Sequence, residues 1–150
     1  MLFKKYPALN ELAIEENWAV YQGHLNDSQI FLRINRWCDS ICGHPELRFR
    51  VGIAIPFTKE QPSGLPTSEQ MVILGQIEDS IADIAEKDRK TVLAICITGV
   101  GFKEYVLYTA EPEKIDDYLK EIRKLYPEYE FQHYIEEDKK WDGYKYFSKK

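Results

Sequence analysis

The chain has 150 residues and a formal net charge of −5, with 44% hydrophobic and 30% charged residues. This length suits one domain with a core large enough to fold alone, so we expect residues 1–150 to form a single domain. The composition is that of a soluble globular protein. The acidic balance argues against nucleic acid as a partner, because affinity for phosphate depends on clustered Lys and Arg.

The sequence also indicates in which cellular compartment the protein resides. No apolar run approaches the roughly 20 residues that cross a bilayer. Charged residues interrupt the apolar ones in the segment MLFKKYPALNELAIEENW, unlike the core of a secretory signal. Three cysteines are few and odd in number, so a disulfide framework is not expected. These features predict a cytoplasmic protein that does not contact membranes.

The N-terminal part predicts a leading segment and a hairpin. Residues 1–16 form the leading segment, in which the helical spacing of apolar residues predicts a short helix over 3–16. Residues 17–36 predict a β-hairpin with strands at 17–23 and 28–36, joined by the polar loop HLND.

Residues 46–136 predict a core with the element order βαββαβ. Its elements are a strand at 46–57, a helix at 67–88, strands at 91–99 and 102–109, a helix at 112–126 and a strand at 129–136. Thr67 and Gln70 have the spacing of a capping box at the start of the first helix. The tail, 137–150, contains the aromatic segment WDGYKYF, so we expect it to pack against the rest of the protein.

This element order predicts an α+β fold. We expect a two-layer sandwich with a ferredoxin-like core, in which both helices lie on one face of an antiparallel sheet. The N-terminal hairpin would extend that sheet. In the strand at 46–57, Leu47, Phe49 and Val51 alternate with Arg48 and Arg50, so the two arginines should face away from the helices.

Several motifs together resemble a known family. They are NWAVYQG, LRINR, SGLPTSEQ, IEDSI, ITGVGFKEYVLYT and WDGY. In order and spacing, from about Trp18 to Tyr144, they are similar to the bacterial domain of unknown function 695 family. That family has no assigned activity, so the resemblance implies no catalytic residue and no cofactor.

The C-terminal half is also loosely similar to the ferredoxin-like bacterial ribonuclease E inhibitors. This similarity implies that the protein binds another protein and catalyses nothing. Where related proteins often show Gly-Phe-Arg-Glu, this chain has lysine at position 103. The difference weakens any role that needs a bidentate arginine fork there.

The segment RWCDSICGHP raises the question of a metal or redox site. A structural zinc needs four ligands, whereas Cys38, Cys42 and His44 offer three at an unusual spacing. A dithiol redox site needs Cys-x-x-Cys at a helix start, and this is Cys-x-x-x-Cys in a loop. Gly43 and Pro45 are typical of a turn, so we expect a bend between strands and no metal.

Two further motifs have structural interpretations. SGLPTSEQ has a glycine turn before a helix but lacks the Gly-Lys-Ser/Thr ending of a phosphate loop, and capping explains its residues. VGFKEYVLY approaches the RNA-binding signature of RRM domains but is displaced by one residue, which sends Tyr105 to the opposite face.

The candidate site is the sheet face turned away from the helices. Its predicted binding residues are Trp18, Tyr21, Arg33, Asn35, Arg48, Arg50 and Glu104. Arginine next to tyrosine is typical of protein recognition surfaces, although an uncovered sheet face must be polar in any case.

We therefore expect a small binding or regulatory module that contacts a protein partner, or a second copy of itself, through this face. The alternative is an enzyme or a binder of a small anionic molecule. Its pocket would lie between the hairpin and the main sheet and would be lined by Trp18, Tyr21, Arg33, Arg50 and Glu104.

Overall fold

The computed structural model describes residues 6–149. Its strands are β1 (Trp18–Leu25), β2 (Ser28–Asn35), β3 (Phe49–Pro56), β4 (Thr91–Gly99), β5 (Phe102–Thr109) and β6 (Gln132–Glu137). Its helices are α1 (Ser68–Ala85), α2 (Ile115–Leu125) and α3 (Asp142–Ser148). Short 3₁₀ turns occupy Leu9–Glu11, Arg36–Ser40 and Pro112–Lys114. No helix within residues 6–149 is both long and apolar enough to span a membrane.

The strands form one sheet in the order β1-β2-β4-β5-β3-β6, with every neighbouring pair antiparallel. Strands β3 and β4, joined through α1, lie on either side of β5, and β5 and β6, joined through α2, lie on either side of β3. The core is therefore two interleaved β-α-β units, and the hairpin extends the sheet beside β4. The predicted α+β class is confirmed, while the ferredoxin-like relationship stays a prediction that this order supports.

The hairpin turn is tighter than predicted. Asn26 and Asp27 both have positive φ angles, 52° and 68°, so the turn has two residues and β1 runs on to Leu25. Asn and Asp tolerate this left-handed backbone, whose twist suits a two-residue hairpin. The prediction of a four-residue loop is therefore wrong.

Helices α1 and α2 cover the first face of the sheet. The capping box is confirmed: the Thr67 hydroxyl accepts from the Gln70 amide at 3.1 Å, and the Gln70 side chain accepts from the Thr67 amide at 2.9 Å. The buried residues of this layer include Val51, Ile53, Leu74, Ile77, Ile81, Tyr105, Leu107, Leu119 and Ile122.

The second face is not fully open, because a smaller core covers it over β2, β4 and part of β5. This second core packs strand residues against the leading segment, the connection after β2 and the aromatic tail. Its members include Leu9, Leu12, Ile30, Leu32, Ile34, Trp141 and Tyr144. The Trp141 ring stacks on Tyr108 with 3.8 Å between ring centroids, and its Nε1 donates to the Leu47 carbonyl at 2.8 Å.

The leading segment crosses this second core without forming the predicted helix. Within its described part, only Leu9–Glu11 form a single 3₁₀ turn, flanked by extended backbone at Ala8 and Leu12. Leu9 and Leu12 are buried, so their spacing reflects one turn that packs two leucines. The predicted helix over 3–16 is wrong for residues 6–16, and residues 3–5 lie outside the described part.

Candidate binding pocket

The seven predicted site residues do not form one surface. Arg50 and Glu104 lie together on the second face of the sheet, and Arg48 lies beside β6. Trp18 and Arg33 lie on the first face, next to α1. The other two, Tyr21 and Asn35, contribute to packing and to a turn, as described below.

Arg33 points toward the helices, contrary to prediction. It is aligned with Cys96 of β4, whose side chain belongs to the core under α1. Its Nη1 donates to both carboxylate oxygens of Glu78 in α1, at 2.7 and 2.6 Å, and its guanidinium lies 4.7 Å from the centre of the Trp18 ring. The apolar residues of β2 face the second core instead, because the leading segment and tail cover that side.

Asn35 has a structural role. Only 1% of its surface is exposed, and its side-chain oxygen accepts from the amides of Asn17 and Trp37 at 2.9 and 3.2 Å. Its side-chain nitrogen donates to the Glu15 carbonyl at 2.9 Å, so it ties the leading segment to the turn after β2. Tyr21 is half-buried against the second core.

Arg48, just before β3, and Arg50 of β3 are already paired with acids of β6 and with the residue that follows it. Arg48 contacts Glu137 at 3.2 Å. Arg50 donates to Glu136 and also reaches Asp138 at 3.4 Å. The positive charge of these two arginines is therefore balanced within the chain.

A pocket of about 380 Å³ lies on the second face, between the sheet and α3. Ile95 and Val106 provide apolar lining from the sheet. The other lining residues are Arg50, Glu104, Tyr134, Asp142, Gly143, Tyr146 and Phe147. A smaller hollow of about 260 Å³ over β3 shares Glu104 and Tyr134 with it, so the two together form an extended concavity.

Glu104 and Tyr134 lie where the two hollows meet. The Tyr134 hydroxyl donates to Glu104 Oε2 at 3.3 Å, and the tyrosine ring lies against Gly52, in space that a β-carbon would fill. Burial raises the pKa of Glu104, although Tyr134 and Arg50 partly oppose the rise. Burial and the nearby Glu104 carboxyl raise the pKa of Tyr134 to about 12, so its hydroxyl remains a donor at neutral pH.

Asp138 holds α3 against the sheet and so fixes one wall of the pocket. Its Oδ2 accepts from the Tyr108 hydroxyl at 2.9 Å and from the Gly143 amide at 3.0 Å. Its Oδ1 accepts from the Asp142 amide at 2.8 Å. Gly143 suits this place because the Arg50 guanidinium occupies the space that a β-carbon would need.

The prediction from sequence missed most of this wall. The missed residues are Tyr134, Asp138, Asp142, Tyr146 and Phe147. Two features of the sequence could have indicated these residues. One is the aromatic tail. The other is the alternation along β6, which places Tyr134 and Glu136 on the same face of the sheet as Arg50 of β3.

The segment RWCDSICGHP forms a turn that packs into the second core. Cys38 is buried, and burial raises the pKa of its thiol well above the ordinary value. His44 Nδ1 accepts from the Glu46 amide at 3.1 Å, so its Nε2 carries the proton and donates to the Pro7 carbonyl at 2.8 Å. Among residues 6–149, no three His, Cys, Asp or Glu side chains are grouped closely enough to hold a metal ion.

The family model described as a family of unknown function, DUF695, matches residues 16–148. This chain belongs to the DUF695 family. A search of curated proteins finds no match, and a search of solved structures finds none either. The match spans the six strands and three helices that the structure describes in the DUF695 chain between residues 6 and 149, and it therefore includes the pocket and the wall formed by α3.

The charge balance of the DUF695 pocket is acidic. Its lining contains one guanidinium, from Arg50, and two carboxyl groups, from Glu104 and Asp142. Glu136 and Asp138 already engage the guanidinium from outside the lining. The pocket therefore suits a positively charged or neutral group better than an anion.

Proposed function

We propose that this DUF695 protein is a binding module that recognises a partner protein, with a basic side chain of the partner entering the pocket beside Glu104. The observation that carries the proposal is the combination of carboxyl groups with aromatic walls in one concavity. A Lys or Arg side chain gains from both, because cations are attracted to carboxylates and to the faces of aromatic rings.

The exposure of the pocket rim supports the proposal. Tyr146 is 66% exposed and meets Phe147 edge-to-face, with 4.9 Å between ring centroids. Aromatic residues at the edge of a concavity are typical of protein recognition surfaces. The surface would then receive a partner side chain without a large rearrangement of the sheet.

Arginines of the sheet are not expected to make the main contacts with the partner, in contrast to the prediction from the sequence. Arg33 bonds to Glu78 on the first face, and Arg50 bonds to an acid of β6 and to the aspartate that follows this strand. A small anion would have to compete with those carboxylates for Arg50. An anionic ligand in this pocket is therefore less favourable than a basic side chain of a partner protein.

A bacterial cytoplasm is the setting we propose for this binding. The free thiols of Cys38 and Cys96, both buried, are compatible with a reducing compartment, where disulfides are rare.

The test is selection of a random peptide library on the purified protein, followed by affinity measurements on the enriched peptides. We expect peptides enriched in Lys or Arg. We also expect Glu104→Gln to weaken their binding by about tenfold, because it removes the charge while keeping an acceptor for Tyr134. Glu121→Gln, on the exposed side of α2, is the matched control and should bind like wild type.

Two results would contradict the proposal. One is enrichment of peptides without basic residues. The other is equal affinity of the wild type and the Glu104→Gln variant for the basic peptides that are enriched.

A further inference from the structure

A second pocket lies on the first face of the sheet, near a buried lysine. Lys103 of β5 is only 3% exposed, and its ammonium donates to the Thr98 hydroxyl at 2.8 Å. Among residues 6–149, no carboxylate lies within ion-pair distance of it. Buried charges in proteins are ordinarily paired, so this ammonium lacks its expected counter-charge.

The neighbouring charges do not supply that counter-charge. Glu78 is the nearby carboxylate, but both of its oxygens accept from Arg33. Burial lowers the pKa of Lys103, while Cys96 and Glu78 oppose the fall and Arg33 adds to it. The cluster of Lys103, Arg33 and Glu78 thus contains two basic side chains and one carboxylate, which is already bonded to Arg33.

A pocket of about 360 Å³ adjoins this cluster at Thr98. Its other lining residues are Phe31, Gln61, Leu65, Pro66 and Met71. Since the Thr98 hydroxyl accepts from Lys103, its own proton is available to donate to a group in the pocket. Most of the remaining lining is apolar.

The pocket wall is held in place by the loop between β3 and α1. The Gly101 amide donates to the Gly64 carbonyl at 2.9 Å, and the Phe57 amide donates to the Gly101 carbonyl at 3.0 Å. The Gln61 side chain donates to the carbonyls of Leu65 and Pro66 at 2.8 and 3.0 Å. The loop is therefore fixed to the turn between β4 and β5, close to Thr98.

We propose that this pocket binds a small carboxylic acid with an apolar body, whose carboxylate accepts from Thr98 and compensates the ammonium of Lys103. The apolar body would contact Phe31, Leu65 and Met71. This site lies on the opposite face of the sheet from Glu104, so it does not depend on the proposed partner-binding function.

The test compares hexanoate with hexan-1-ol, which has the same chain but no charge, by calorimetry and by NMR of the Leu65 and Met71 methyl groups. We expect hexanoate to bind at least about tenfold more tightly than hexan-1-ol and to shift the methyl signals of both residues. Thr98→Val and Lys103→Met should each remove this preference. Lys87→Met, at an exposed position after α1, should keep it.

Circular dichroism shows whether each variant is folded. If Lys103→Met does not fold, the Thr98→Val variant still tests the proposal, because valine keeps the shape of the threonine side chain. The proposal is overturned if hexanoate does not bind the folded wild type. It is also overturned if hexan-1-ol binds as tightly as hexanoate, or if the folded Thr98→Val variant keeps the preference for hexanoate. Either result would show that the pocket does not recognise the carboxylate through Thr98.

Discussion

Glu86 is a single residue whose ionisation opposes folding. It follows α1, and its Oε2 accepts from the Leu93 amide at 2.9 Å. Burial, together with the nearby carboxylates of Glu16 and Asp83, raises its pKa to about 7, although the Leu93 bond partly opposes the rise. The C-terminal end of a helix is also an unfavourable place for a negative charge.

The sign of the pH effect follows from this raised pKa. Below pH 4.5, the pKa of this carboxyl in the unfolded chain, the group is protonated in both the folded and the unfolded state and does not affect stability. As the pH rises from 4.5 to about 7, its ionisation lowers the free energy of unfolding, and the loss is complete above that range. Glu86→Gln should therefore raise the free energy of unfolding by about 1–2 kcal/mol at pH 8 and leave it nearly unchanged at pH 4.

Urea unfolding of both proteins at the two pH values measures this difference. Asp79→Asn, at an exposed position of α1, is the control and should show no comparable pH-dependent gain. An equal gain for Glu86→Gln at pH 4 and pH 8 would show that ionisation of this carboxyl is not the cause.

At the same scale, alternation along the strands predicts the correct sheet face for some of the candidate residues and not for others. Alternation along β3 separates Arg50 from Val51, and the structure brings Arg50 to the same pocket as Glu104. Alternation along β2 likewise separates Arg33 from its apolar neighbours but does not say which of them faces the helices. Because both faces of the sheet have apolar cores, Arg33 could not be assigned from the pattern alone.

At the scale of elements, α3 is the part that completes the second core. Tyr144 is buried there with Trp141, the residue before the helix, while Tyr146 of the same helix is exposed. The aromatic content of the tail predicts that it packs. It does not indicate the surface on which the tail packs, since that depends on contacts distant in sequence, such as Trp141 with Leu47.

Trp141→Ala should therefore destabilise the protein by about 3–5 kcal/mol, because it opens a cavity against Tyr108 and removes the bond to the Leu47 carbonyl. Tyr146→Ala should change the free energy of unfolding by less than about 0.5 kcal/mol. Chemical denaturation of the two variants measures both values. A similar loss for both would contradict the assignment of Trp141 to the core and Tyr146 to the surface.

The elements with strong local signals were predicted well. Strands β4 and β5 have the predicted bounds, and the capping box fixes the start of α1. The boundaries that moved include those of β1, whose turn needed two left-handed residues, and of α2, which a 3₁₀ turn precedes. Neither of these local backbone choices leaves a periodic pattern in the sequence.

At the scale of the whole molecule, one sheet separates two different chemical environments. The second face carries the acidic, aromatic pocket beside Glu104, and the first face carries the buried ammonium of Lys103. The net charge of −5 agrees with a partner that brings positive charge. The two sites can be tested separately because they do not share a lining residue.

The most direct test of partner binding at the Glu104 pocket is NMR mapping of the backbone amides during titration with a basic peptide enriched on the wild-type protein. We predict the largest shifts at Gly52, Glu104 and Gly143, around the pocket on the second face, and their loss in Glu104→Gln. Shifts confined to α1 and α2, or shifts that persist unchanged in Glu104→Gln, would contradict this prediction.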